Sequence, residues 1–319
     1  MKNEDLTVGI VGTGTIGASW AAFYASKGME VRLFDSMVEN RERGLILARK
    51  LLADMGRLGL MEGAVSGEAE ERLSPVDSLE EMGETVAFVH EAAAENYEVK
   101  IELFTRLDEI AAPEVILASS SSGLLMTKIQ ESMRHPERAL IAHPFNPPHL
   151  IPLVELVRGE KTGEEVVREM LAFFTSLGKM PVVLQKEVPG HIANRLAAAL
   201  WREALDLVAR GVASVEDVDR ALCAGPGLRW ALMGQHLIYH LGGGEGGYEH
   251  FIEHIGKGWR ELWEDMPTWT EIPDEATKAA VAGMKEAVGD RDPAEIAAWR
   301  DEKLAALVRE IYGESPELK

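Results

Sequence analysis

The chain has almost no cysteine. Cys223 stands alone among 319 residues, which excludes an internal disulfide scaffold and a cysteine zinc site. A lone cysteine in a helical stretch reads as a small buried hydrophobe rather than a nucleophile. No apolar run reaches the ~18 residues that cross a bilayer. The opening Met1-Lys2-Asn3-Glu4-Asp5 has no signal-peptide pattern. No membrane partner and a reducing, cytoplasmic setting are therefore expected. Positive charge is scarce: 33 Lys and Arg stand against 53 Asp and Glu, a formal net charge of −20. Such a surface repels nucleic acid and anionic lipid at long range, and it either serves solubility alone or favours neutral or cationic partners. It does not exclude a dinucleotide, because helix N-termini and backbone amides bind phosphate whatever the global charge. Aromatic residues make up only 6%. Apart from Trp20, the tryptophans (201, 230, 259, 263, 269 and 299) gather in the second half. They read as core or subunit interface, or alternatively as a cage for a quaternary ammonium group.

What is present is the composition of a globular protein, 46% hydrophobic and 27% charged, too long for one ordinary core. The first half alternates strand and helix. Apolar runs at Leu6–Val11, Glu30–Asp35, Thr85–His90, Val115–Ala118, Ala139–Ala142, Leu153–Val157 and Met180–Leu184 read as strands. Between them, Ile16–Lys27, Glu39–Gly56, Val99–Ile110 and Glu164–Leu177 have helical periodicity. This predicts an α/β fold: an N-terminal Rossmann-like, doubly wound, mostly parallel sheet. After Lys186 the strands stop. Pro189–Ala209 reads as a long helix, and Ser214-Val215-Glu216-Asp217 opens another as an approximate capping box. The expected domains are 1–186 and an all-helical 187–319.

Gly12-Thr13-Gly14-Thr15-Ile16-Gly17 is G-x-G-x-x-G between a strand and a helix, the context in which the pattern binds a dinucleotide. Gly12 allows the tight turn, Gly14 lets pyrophosphate approach, and Gly17 lets helix and strand pack; Thr15 and Ile16 begin the helix whose N–H groups face the phosphates. Asp35 ends the second strand, where a carboxylate accepts from ribose hydroxyls and repels a 2′-phosphate. NAD is thus expected rather than NADP, although Arg41 and Arg43 lie near enough in sequence to weaken that discrimination. Asp35 also fits a plain turn or helix cap.

The segment Ala142-His143-Pro144-Phe145-Asn146-Pro147 follows a strand that ends at the sheet's carboxyl edge. A neutral imidazole at His143 is suited to accept a hydroxyl proton near pH 7. Glu155, placed on the other ring nitrogen, would fix the tautomer and stabilise the imidazolium. Ser119-Ser120-Ser121-Ser122-Gly123 puts hydroxyls at another strand end, either for a substrate alcohol or as a polar loop. Asn194 either holds the reacting oxygen or caps a helix. His236/His240 and His250/His254 have metal-like spacing but lack the H-E-x-x-H pattern; no metal is expected.

With these residues in view, the chain resembles the 3-hydroxyacyl-CoA dehydrogenase superfamily along essentially its whole length. The His-Pro-Phe-Asn-Pro segment, the serine run and Pro189-Gly190-His191-Ile192-Ala193-Asn194-Arg195 carry the resemblance. It implies His143 as acid/base with Glu155 as its partner, and Ser122 and Asn194 about the substrate oxygen. It also implies NAD contacts at Glu95, Lys100 and Asn146, and a homodimer through the helical C-terminal domain, which would also bind substrate. Within the superfamily the chain is similar to the L-carnitine dehydrogenases, through Ser121-Ser122-Gly123-Leu124-Leu125 and above all Gly227-Leu228-Arg229-Trp230-Ala231-Leu232-Met233-Gly234. Gulonate 3-dehydrogenases, the lambda-crystallin relatives, share Ile151-Pro152-Leu153-Val154-Glu155-Leu156-Val157. Two departures from the superfamily stand out: His191 where Phe is usual, and Gly123 where acyl-CoA enzymes usually have Ser. The implied activity is NAD-dependent oxidation of a small free 3-hydroxy acid, L-carnitine to 3-dehydrocarnitine. The rivals are L-gulonate, 3-hydroxybutyryl-CoA, and a crystallin-like NADH-binding protein without turnover.

Overall fold

The computed structural model describes residues 6–61, 66–83 and 86–313. The opening Met1–Asp5 and Thr85, both used in the sequence reading, lie outside them. Eight strands form one sheet: β1 (Thr7–Val11), β2 (Glu30–Phe34), β3 (Leu73–Pro75), β4 (Phe88–Glu91), β5 (Ile116–Ser119), β6 (Ala139–Pro144), β7 (Leu153–Arg158) and β8 (Met180–Leu184). Their order is β3-β2-β1-β4-β5-β6-β7-β8. Neighbours are parallel except β6 and β7, which are antiparallel. The strand order reverses between β1 and β4, and a crevice opens at such a switch point beyond the carboxyl ends of the strands. β3 was not anticipated: Leu73-Ser74-Pro75 is too short to show a period, and only Leu73 is buried.

The helices α1 (Thr15–Ser26), α2 (Val38–Arg57), α3 (Ser66–Glu71), α4 (Leu79–Gly83), α5 (Tyr97–Ile110), α6 (Met126–Ile129) and α7 (Glu164–Ser176) cover the sheet. Strand residues alternate between two cores, as a period of two requires. Ile10, Phe88, Ala118 and Leu140 face one core, with Trp20, Tyr24 and Phe174. Val11, Val89, Leu117 and Ile141 face the other, with Phe104 and Leu107. Helix α1 is buried from Gly17 to Ser26; its small residues let it lie close against the sheet, and burying Trp20 or Tyr24 contributes on the order of 2–3 kcal/mol each.

Two compact units divide the chain. One runs to Asn194 and takes in the chain again from Arg300; the other spans Arg195–Trp299. The returning segment packs Ala305 and Leu304 against Leu58 and Leu150 of the first unit. From Ala193 onward the described chain is helical: α8 (Ala193–Ala209), α9 (Val215–Leu222), α10 (Leu228–Leu232), α11 (Gln235–Gly242), α12 (Gly247–His254), α13 (Trp259–Asp265), α14 (Asp274–Val288) and α15 (Pro293–Tyr312). Helix α8 begins at Ala193 rather than Pro189, because Gly190 and His191 take φ of 79° and 53° and cannot continue a right-handed helix. Ser214 caps α9 as expected, accepting from the Asp217 N–H at 3.1 Å.

The Arg195–Trp299 unit leaves many large apolar side chains in solvent, among them Trp201, Leu228, Leu232 and Trp263. Trp259 and Trp269 are half-buried, so the tryptophans do not form a buried core there. Cys223 is exposed, against the expectation of burial; it sits beside the kink at Gly225 and Pro226, where regular packing breaks. Among the described residues, no helix is long and apolar enough to cross a membrane, and no group of three or more His, Cys, Asp or Glu is arranged to hold a metal.

Candidate active site

Gly12 follows β1 with φ +90°, and a Cβ there would lie 2.6 Å from the backbone of Ala92 and Ala93. A Cβ on Gly17 would lie 1.8 Å from the Gly12 carbonyl oxygen. A Cβ on Gly14 would meet nothing within 4 Å. Two of the three glycines therefore allow the protein to close on itself, while the third borders open space, as a pyrophosphate cradle requires. The first turn of α1 has no side-chain cap, so its N–H groups are available to a ligand. Gly44 of α2, which the sequence reading passed over, belongs to the same turn: a Cβ there would sit 2.4 Å from Thr13.

Asp35 braces this turn. Its Oδ2 accepts from Thr13 N at 2.9 Å and Thr13 Oγ1 at 3.3 Å, and its Oδ1 from Met37 N at 3.1 Å. Carboxylate oxygens hold further lone pairs, so capacity for ribose hydroxyls remains. The two neighbouring arginines are engaged elsewhere. Arg41 binds the Val76 carbonyl and Asp77, and Arg43 binds Asn40 and the Glu39 carbonyl.

A cavity of about 460 Å³ lies at the carboxyl edge of the sheet. Its lining includes Ile16, Ala92, Glu95, Lys100, Ser122, His143, Asn146 and Asn194. Seven residues singled out from sequence thus share one cavity. Asp35 lies apart, at the end of β2, and Glu155 stands behind His143.

His143 falls within β6, not in the loop expected after it, and its antiparallel partner on β7 is Glu155. Directly opposed residues share a face of the sheet. Nδ1 of His143 lies 2.8 Å from Glu155 Oε2. The other oxygen, Oε1, accepts from Ile192 N at 2.8 Å and Ala193 N at 3.0 Å. Burial pushes the Glu155 carboxyl up, but the hydrogen bonds from His143 and these two N–H groups outweigh it and hold its pKa below the usual range. An ionised carboxylate only accepts, so His143 Nδ1 carries the proton and the neutral ring keeps its lone pair at Nε2.

The serine loop is organised by a second carboxylate. Glu95 Oε1 accepts from Ser121 Oγ and Ser122 N, both at 2.8 Å, from Gly123 N at 2.9 Å and from Ser122 Oγ at 3.2 Å. Burial raises its pKa, while the Ser121 hydroxyl, the Lys100 charge and the N–H groups bring it down further, so the net shift is downward. Lys100, buried, bonds Glu91 Oε1 at 2.6 Å and lies 3.6 Å from Glu95 Oε2. Glu91 in turn accepts from Ser119 Oγ at 2.5 Å. Sequence reading missed Glu91; the signal was a carboxylate directly after the apolar strand ending at His90.

His191 is fully buried. Its Nε2 lies 3.0 Å from the Ser121 carbonyl oxygen, and its ring centroid is 5.1 Å from that of His143. Asn194 Nδ2 donates to the Ser122 carbonyl at 3.1 Å. The metal-like histidine pairs have protein partners: His236 meets Tyr248 Oη, His240 accepts from Tyr248 N, and His254 stacks on His250.

Comparison with known proteins places these features in company. The pattern of the 3-hydroxyacyl-CoA dehydrogenase NAD binding domain matches residues 7–188, and that of the family's C-terminal domain matches 190–287. An L-carnitine dehydrogenase of Streptomyces coelicolor is 41% identical over 310 residues, covering 97% of this chain and 96% of that one. An L-carnitine dehydrogenase of a Pseudomonas species is 39% identical, covering 96% and 94%. Among solved structures, 5-formyl-3-hydroxy-2-methylpyridine 4-carboxylic acid 5-dehydrogenase, an NAD+-dependent dismutase, superposes with a TM-score of 0.81 at 27% identity, covering 97% of this chain and 99% of that one.

Proposed function

This chain belongs to the 3-hydroxyacyl-CoA dehydrogenase family and is an NAD-dependent dehydrogenase acting on a CH–OH group, and we propose that its substrate is L-carnitine, oxidised at the 3-hydroxyl to 3-dehydrocarnitine. The observation that carries the chemistry is the His143–Glu155 pair, 2.8 Å apart, on a cavity that also reaches Ile16 of the phosphate turn. Likeness to L-carnitine dehydrogenases over nearly the full chain supports the substrate. So does the charge of −20, which suits a quaternary ammonium compound better than the polyanionic CoA.

In this reading His143 Nε2 takes the hydroxyl proton. Glu155 stabilises the resulting imidazolium through Nδ1–H, and its own charge is held by the Ile192 and Ala193 N–H groups. The Ser122 hydroxyl and Asn194 amide hold the reacting oxygen beside His143. The glycine turn with Thr15 and Ile16, and Asp35, Glu95, Lys100 and Asn146, hold NAD, which supplies the hydride acceptor. The Rossmann-like residues 1–186 hold the cofactor and the His143–Glu155 pair, and the helical residues 187–319 complete the substrate site and make the dimer. The homodimer is supported by an apolar cavity of about 650 Å³ bordered by Trp201, Leu205, Val208, Val281 and Met284, a face that a second copy would bury. A cytoplasmic setting accords with the single cysteine.

The test is a substrate panel with NAD, following nicotinamide reduction. L-carnitine should have the highest kcat/KM, above L-gulonate and 3-hydroxybutyryl-CoA. Preference for either of the latter overturns the substrate assignment. Tight NADH binding without turnover of any hydroxy acid overturns the activity.

A further inference from the structure

We propose that His191 is a positioning residue of this site: by donating Nε2–H to the Ser121 carbonyl it fixes the serine loop that presents Ser122 beside His143. The inference rests on the proposed function for what the loop does, not for how it is held.

The geometry is that of a clip. Four consecutive residues each make a contact that organises the site. His191 takes the Ser121 carbonyl and Asn194 takes the Ser122 carbonyl. Between them, the N–H groups of Ile192 and Ala193 take Glu155 Oε1. One short segment therefore grips two successive carbonyls of the serine loop and, with the intervening amides, the acid behind the catalytic imidazole. From the opposite side Glu95 holds the N–H groups of Ser122 and Gly123. The loop is thus bound through both edges of its peptides.

Two features set this position apart. His191 has φ +53°, the only positive value off glycine among the described residues. That conformation costs energy for any side chain, and it persists only where the surroundings enforce it. Its Nδ1 is buried and without a hydrogen-bond partner among the described groups, a further cost that an apolar ring would avoid. Because a carbonyl only accepts, Nε2 carries the proton. Burial lowers the ring's pKa, which keeps Nδ1 bare and the ring neutral. The two imidazoles are then distinct: His143, backed by a carboxylate, takes the proton, while His191, backed by a carbonyl, holds the loop.

The experiment compares His191→Phe, which keeps the ring and loses the donor, with His191→Gln, whose amide N–H reaches the Nε2 position. Both bear the same backbone cost, so their difference reports the donor. Amide hydrogen exchange at Ser122 and Gly123 is read with steady-state kinetics. In His191→Phe, exchange at these two amides should rise about tenfold and kcat should fall about tenfold, the value of one hydrogen bond. KM for NAD should stay within about twofold. His191→Gln should recover most of both. Exchange unaltered in the Phe variant, or equal disturbance in both variants, overturns the inference. If the wild type oxidises no 3-hydroxy acid, the function fails, and the exchange comparison still decides how the loop is held.

Discussion

His143 and Glu155 meet across the antiparallel pair β6 and β7, Nδ1 to Oε2 at 2.8 Å, with both side chains buried. A slip of one residue in register would send the two to opposite faces of the sheet. The pair is therefore built by strand pairing, not by loop conformation.

Replacing Glu155 by Gln tests what the acid contributes. The amide oxygen can still accept from Ile192 and Ala193, which turns the NH2 group toward His143. Nδ1 must then accept, and the ring proton moves to Nε2, where the substrate's proton has to go. We expect kcat to fall roughly 10²- to 10⁴-fold, with KM for NAD within about twofold, measured by initial rates. Near-normal kcat would contradict the role.

The glycines of the phosphate turn make opposite predictions. A Cβ at position 14 meets no protein atom within 4 Å. Gly14→Ala should leave Tm within about 2 °C of wild type while weakening NADH binding about tenfold or more, because the space belongs to pyrophosphate. A Cβ at position 17 would lie 1.8 Å from a carbonyl oxygen, so Gly17→Ala should lower Tm by more than about 5 °C. Calorimetry and fluorescence titration with NADH separate the two. Unaltered NADH binding in the Gly14 variant would place the cradle elsewhere.

Asp35 combines two duties, so its replacement should show both. In Asp35→Ser the NADP-to-NAD ratio of kcat/KM should rise at least about tenfold. Stability should also fall by about 1–2 kcal/mol, since the N–H groups of Thr13 and Met37 lose their acceptors. An unchanged ratio would remove Asp35 from cofactor selection.

These residues show what was legible in advance. The parallel sheet, the glycine turn and the His143 neighbourhood were readable because buried parallel strands are continuous apolar runs and the motif residues are contiguous. β3 was not, being three residues long with one buried. Nor was the role of Gly44, whose importance lies in a helix touching the turn at Thr13. The start of α8 was misplaced because His191 ranks as an ordinary helix residue until its φ of 53° is seen. The contact of Glu91 with Ser119 arises from strands β4 and β5 lying side by side, and the two-sided grip on the serine loop joins Glu95 to His191 and Asn194, distant in sequence; no local pattern encodes either.

Stability should fall in mild acid through two buried histidines. Burial pulls the pKa of His90 down to about 3 and that of His149 to about 4, from 6.5. His90 accepts from Tyr24 Oη and donates to the Ala142 carbonyl, and His149 meets Ser19 Oγ at 2.8 Å. Between pH 6.5 and about 4 the unfolded chain binds protons that the folded chain refuses, so stability is full above pH 6.5 and declines as pH drops. Each group contributes a slope of at most about 1.4 kcal/mol per pH unit. Urea unfolding from pH 7 to 4.5 should show this, with a shallower slope for His149→Gln. A slope of the opposite sign would refute it.

The most direct measurement is the rate of NAD reduction by L-carnitine in wild type and His143→Asn, alongside NADH binding to each. The account expects turnover in the wild type, a loss of about 10³-fold or more in kcat for the variant, and NADH affinity within about threefold. A variant that retained most of its turnover would contradict it.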